Sequence, residues 1–378
     1  MDFGFTEEQE MLRNSARDFL SRESAMTYVR RMMEDDVGFS AETWRKMAEL
    51  GWLGLIYPES YGGAGLNMMD LVVVLEEMGR VVMPGPFFST VLLGGSAVLE
   101  GGDESQKRRY LTAIAAGEVK ATLAFLEENG RSDANDVKVK AVADSGGFLL
   151  SGSKFFVPDA HVADLVVVAA RTDRDGGEEG ISLFAVEVPR GGVTVTPLKT
   201  MDQTRRLFVV NLDQVRVGPE GLIGERGCGW PILKRVTDRA KVALCAEMCG
   251  GAERVLEMSV EYAKVRVQFD RPIGSFQAIQ HKCANMLMLV ESAKAATYYA
   301  AWAVANDVVD APLAAAMAKS CASDAYRIVT GEGIQIHGGI GFTWEHDLHI
   351  YFKRAKGSEV TFGDAIYNRE LVARLSDL

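Results

Sequence analysis

Cysteine and histidine are scarce in this sequence, at five each in 378 residues. The cysteines are Cys228, Cys245, Cys249, Cys283 and Cys321, an odd number without a C-x-x-C pair. That excludes a disulfide framework and reads as reduced thiols in a cytoplasmic protein. His346 and His349 stand three apart beside Glu345, superficially a metal pair. No cysteine or further histidine lies near enough to complete a ligand set, so no metal is expected. No apolar run approaches the ~20 residues of a membrane span. The opening MDFGFTEEQEMLRNSARDFL lacks a basic stretch followed by an apolar core, so no secretory signal is expected. Positive charge is also in deficit, with 41 Lys+Arg against 52 Asp+Glu and a net charge of −11. Such a chain is a poor partner for nucleic acid. The glycine-rich loop YPESYGGAG (57–65) is not followed by Gly-Lys-Ser/Thr, and no clear strand precedes it. Walker A and Rossmann phosphate loops are thereby excluded.

What is present is ordinary globular material, 48% hydrophobic and 25% charged. The length exceeds one compact core, so two or three domains are expected. Residues 1–120 read as helices. Thr6 and Gln9 fit a capping box at the first of them, and Asn67 caps a helix over 68–78. Phe19, Trp44, Met47, Leu50 and Trp52 supply apolar surface. Over 121–217 the hydrophobic period shortens to two. Short β-rich runs follow, punctuated by Gly146-Gly147, Asp175-Gly176-Gly177 and Gly191-Gly192, as in a small antiparallel sandwich or barrel. Over 218–378 helical spacing returns at length, across 230–269, 276–305 and 314–330, and predicts an antiparallel bundle. The fold class is therefore α+β: an N-terminal helical domain, a middle antiparallel β domain and a C-terminal four-helix bundle.

Two segments of the last third are specific. RVQFDRPIGSFQAIQ (266–280) and QIHGGIGF (335–342) resemble the R-x-x-F-G…Q and Q-x-x-G-G-x-G segments of acyl-CoA dehydrogenases. The opening FTEEQEMLR, the 57–65 loop and the β region also look like that family, so the resemblance covers nearly the whole chain. It implies a flavoprotein, usually a tetramer, with FAD at a subunit interface, acyl-CoA as substrate and electron-transfer flavoprotein as electron acceptor. The implied FAD ligands are Arg266, Phe269, Gln277, Gln335, Gly338 and Gly339. The residue chemistry agrees: glycines let a pyrophosphate approach backbone N–H groups, and an arginine fork suits phosphate. Phe156 matches the aromatic residue that packs on the isoalloxazine, and Ser132 persists from the family's flavin-contacting loop. Pro158 and Leu126 replace two usual threonines, which reduces the hydrogen-bond set for the flavin.

The family's reaction is α,β-desaturation: a carboxylate removes the α-proton and the β-carbon passes a hydride to flavin N5. The usual base position here is Phe362, followed by Gly363 and Asp364. Its backbone N–H remains able to hold the thioester oxygen. The alternative base position, on the long helix, is Ala240. Asp238, with Lys241 three residues on, matches a family aspartate that contacts the CoA moiety; a solvated ion pair is the plainer reading. Ala240, Ala243, Glu247 and Gly250 share one helix face of small side chains that admits a ligand or a helix. Glu247 is the candidate relocated base, against a solvated glutamate or an interhelical ion pair, with Asp364 and Glu359 as lesser candidates. Three functions stay open: a dehydrogenase with a relocated base, a partner subunit without its own chemistry, and a flavin oxidase or monooxygenase on the same fold. The segment HGGIGFTWEHDLH (337–349) looks like the bacterial heteromeric members that degrade steroids and other bulky acids.

Overall fold

The computed structural model describes residues 5–173 and 177–377. Of the turn signal at 175–177, Asp175 and Gly176 lie outside the described residues, as do residues 1–4 of the opening segment. Helix α1 (Glu7–Glu23) starts with the capping box: Thr6 and Gln9 satisfy each other's backbone N–H groups. Helices α2 (Met26–Glu34) and α3 (Ala41–Glu49) follow, then α4 (Met68–Arg80), whose cap Asn67 forms a second capping box with Asp70. A π-helical turn, Phe88–Gly94, leads into α5 (Gly95–Gly101) and the short α6 (Glu104–Gln106) and α7 (Thr112–Ala115).

The middle of the chain forms one eight-stranded sheet from β1 (Ala121–Ala124), β2 (Lys140–Asp144), β3 (Gly147–Pro158), β4 (Leu165–Arg171), β5 (Ile181–Glu187), β6 (Val193–Pro197), β7 (Leu207–Val217) and β8 (Leu222–Ile223). The order is β6-β7-β3-β2-β4-β5-β8, with β1 also on β4. The sheet is mixed rather than purely antiparallel, because β1 and β2 both run parallel to β4. Alternation of apolar residues marks a strand's faces, whereas its direction is set by the connections between strands. Strands β4 and β5 are near-continuous apolar runs because both faces are covered. Leu165, Val167 and Ala169 point into the helical core, and Val166, Val168 and Ala170 into the β core.

After the sheet come α8 (Gly229–Val265), a tight hairpin of β9 (Val267–Gln268) and β10 (Arg271–Pro272), α9 (Gln277–Ala305), α10 (Ala311–His337), α11 (Leu348–Val360) and α12 (Ala365–Leu375). No helix among the described residues is long and apolar enough to cross a membrane.

The small-residue face of α8 receives a helix. A Cβ at Gly250 would overlap the Glu76 carbonyl oxygen, and one at Gly79 would overlap that of Glu247. Backbone touches backbone here, so α4 packs directly on the bundle. Gly250→Ala should cost about 2–3 kcal/mol through forced separation of α4 and α8. A melting temperature equal to that of the wild type would show that the contact has slack.

Candidate functional site

A cavity of about 550 Å³ opens between the 125–133 segment after β1, the first turns of α8, and the turn joining α11 to α12. Its wall combines apolar Phe125, Leu126, Trp230 and Phe362 with polar Ser132, Asp238 and Lys241. Four residues expected at the site from separate parts of the sequence (Ser132, Asp238, Lys241 and Phe362) are thus brought together.

Phe362 lies between two other rings, its centroid 6.3 Å from Phe88 and 6.5 Å from Phe125, with interplanar angles of 28° and 12°. Its backbone is left-handed (φ 59°), and so is that of Gly363 (φ 87°). Among the described residues nothing accepts a hydrogen bond from the Phe362 N–H. Lys241 Nζ donates to Asp238 Oδ1 at 3.0 Å. Asp364 caps α12 by accepting from the Tyr367 N–H at 2.8 Å, and Ser132 Oγ lies 3.4 Å from the Tyr367 hydroxyl.

The cavity's β-domain wall is pinned from behind. Lys154 is fully buried and donates to Phe125 O at 3.1 Å and to Glu127 Oε1 at 3.0 Å. Burial lowers the Lys154 ammonium to about 8, against the pull of Glu127. The same Glu127 oxygen accepts from the Lys138 and Val139 N–H groups at 2.6 and 2.8 Å. Phe156, on β3, is 38% exposed with φ 56°; it does not line the cavity but lies against Gly130, which does.

Glu247 is not among the residues lining this cavity. It is buried, with its carboxylate 2.5 Å from Arg205 Nη2 and 3.7 Å from Arg354 Nη1. Arg354 also pairs with Asp202 Oδ2 at 3.0 Å and donates to Thr204 Oγ1. Burial opposes the Arg205 charge, but Glu247 and Asp202 outweigh it and raise its pKa. Of the readings open for Glu247 the structure shows the ion-paired carboxylate rather than a free base, and of the two occupants open for the small-residue face it shows a helix, α4. The partners could not be seen locally, since Arg205 and Arg354 come from 42 residues before and 107 after Glu247.

The other motif residues gather at the far end of the bundle. Arg266, Phe269, Gln277, Gln335, Gly338 and Gly339 are all exposed. The end of α8 meets the end of α10 where Tyr262 stacks on His337 at 4.3 Å, and Lys282 of α9 pairs with Glu332 of α10. Phe269 is 86% exposed, an unusual state for a large apolar ring. A Cβ at Gly338 or Gly339 would meet nothing within 4 Å, so the backbone there is open. His346 and His349 are engaged by backbone, accepting from Leu348 N and contacting Trp344 O respectively.

Comparison with known proteins places the whole chain. The N-terminal, middle and C-terminal domains of acyl-CoA dehydrogenase match residues 6–118, 122–213 and 227–376. An acyl-CoA dehydrogenase of Bacillus subtilis is 32% identical over 98% of both chains. The ChsE4–ChsE5 complex from Mycobacterium tuberculosis superposes with a TM-score of 0.90 at 29% identity, over 100% of each chain. A structure described as a Tcur3481–Tcur3483 steroid ACAD variant does so with a TM-score of 0.88 at 30% identity, over 98% of each. The chain belongs to the acyl-CoA dehydrogenase family, oxidoreductases acting on CH–CH bonds, and it resembles the bacterial heteromeric, steroid-degrading members.

Proposed function

We propose that this chain is the subunit of a heteromeric acyl-CoA dehydrogenase that binds a CoA thioester and helps to hold FAD but relies on a neighbouring chain for the proton acceptor. The observation that carries this reading is Phe362 at the family's base position, held between Phe88 and Phe125. Of the cavity's carboxylates, Asp238 is committed to Lys241 and Asp364 to the start of α12, while Asp133 and Glu178 lie on the exposed rim. Glu247, the relocated base anticipated from helical spacing, is held by two guanidiniums away from the cavity.

The residues present fit FAD in two separated halves. At the bundle end, Arg266 offers a phosphate fork, Gly338 and Gly339 an open backbone, Gln277 and Gln335 amide partners, and Phe269 an uncovered ring. At the cavity, Ser132 lines the wall, and Phe156, outside the lining itself, packs behind Gly130 of the same wall. Lys241 to Val265 spans about 36 Å at 1.5 Å per residue, beyond the reach of one dinucleotide. One chain therefore supplies only one half to any given FAD, and the other half comes from a second chain in a homo- or heterotetramer. FAD bound there would supply the hydride acceptor for the β-carbon and a route for the electrons, in this reading to electron-transfer flavoprotein. This chain's part is to seat the thioester against the Phe362 N–H, exclude water with the aromatic stack and close a neighbour's flavin site.

Titrating the FAD-loaded single chain anaerobically with butyryl-CoA and with a steroid-ring acyl-CoA tests the proposal. The flavin absorbance should not bleach; bleaching by the single chain would overturn it. Arg266→Ala should lower flavin content and oligomer mass together, measured by absorbance and light scattering. Unchanged values for both would count against the shared site.

A further inference from the structure

Lys319 lies in the alanine-rich stretch of α10, yet it is fully buried. All three of its donor directions are used: Ser323 Oγ at 2.8 Å, Glu359 O at 3.0 Å and Gly363 O at 2.9 Å. Two of these acceptors bracket Phe362. The Glu359 carbonyl belongs to the last turn of α11, where orphan carbonyls and the helix dipole favour a cation. The Gly363 carbonyl follows directly after Phe362.

The turn it grips is strained. Phe362 adopts φ 59°, a left-handed conformation that a phenylalanine keeps only where the surroundings over-determine it. A second buried side chain holds the same turn: Asn368 Nδ2 donates to Gly363 O at 3.0 Å and to Asp364 O at 2.9 Å. Two buried polar groups from different helices thus converge on one short turn in the cavity wall. Burial lowers the Lys319 ammonium to about 8; Lys241 pushes the same way, while Cys245, Asp364 and Glu359 oppose it. The desolvation is tolerated because every donor is matched by an acceptor.

We infer that Lys319, together with Asn368, is a positioning residue for thioester binding: by fixing the 359–364 turn it holds the Phe362 N–H where it meets the acyl carbonyl oxygen. This rests on the reading of the cavity as a CoA thioester site. Lys319 touches no ligand itself and acts through the backbone it grips. A misplaced turn should weaken recognition of the thioester carbonyl and leave the nucleotide and pantetheine contacts alone.

Calorimetric titration of the full chain with butyryl-CoA and, separately, with free CoA tests this, because the two probes differ only in the acyl group. Lys319→Met should weaken butyryl-CoA about tenfold, the loss of one well-placed hydrogen bond, with free CoA unchanged within twofold. Asn368→Ala should show the same selective loss, and it carries the test if Lys319→Met does not fold. Equal weakening of both probes in the folded variants, or no change in either, would overturn the positioning role. Wild-type protein that binds neither probe would instead overturn the thioester-site reading, and this inference with it.

Discussion

Glu247→Gln should destabilise the protein by about 3 kcal/mol, the scale for removing one partner of a buried ion pair. The amide keeps the shape of the carboxylate but leaves the Arg205 charge without its nearest counter-ion; Arg354 still has Asp202. The effect should pass to the site only weakly, through Arg205, whose guanidinium lies 4.9 Å above the Phe88 ring, and so through the stack on Phe362. The expected result is a melting temperature lower by several degrees with CoA thioester affinity near that of the wild type. A variant with wild-type stability and lost thioester chemistry would reverse the assignment and make Glu247 the base.

On the proposed reading, Phe362→Glu should give the cavity a proton acceptor at the position the family uses. The substitution places a carboxylate where Phe88 and Phe125 form low-dielectric walls, an environment that suits a base acting on a weak carbon acid. Exchange of the α-proton of bound butyryl-CoA with solvent should rise on the order of a hundredfold, read by mass spectrometry in D2O. Loss of the ring contacts should lower stability by about 1 kcal/mol. A folded variant that binds thioester but exchanges no faster than the wild type would show that the thioester's α-carbon lies elsewhere.

Much of the architecture could be read from local features, because helix caps and hydrophobic periods act over a few residues. Thr6 with Gln9 and Asn67 with its neighbours announce their helices, and the long apolar spacing after residue 229 announces the bundle. Parallel pairing of β1 and β2 with β4 could not be read, since it depends on how the chain returns after 44 residues for β1 and 31 for β2. Of the cavity residues, Asp238, Ser132 and Phe362 were recognisable by motif, and Lys241 by its spacing from Asp238. The partners that decide roles were not. Glu247 looked free because no cation lies one turn away on its own helix, whereas its arginines arrive from the β7 approach and from α11. Lys319 read as one more helix lysine, because its principal acceptors are backbone carbonyls 40 and 44 residues away, and backbone carbonyls leave no mark in composition. The small-residue face of α8 was visible, but only packing distinguishes room for a ligand from room for α4.

The central claim, that this chain binds a thioester without a proton acceptor of its own, is tested most directly by α-proton exchange in the wild-type protein. Exchange needs a base near the α-carbon and requires neither flavin reduction nor an electron acceptor. Wild-type chain saturated with butyryl-CoA in D2O, with saturation checked by calorimetry, should incorporate deuterium no faster than the free thioester. Rapid incorporation that Glu247→Gln abolishes would contradict the account.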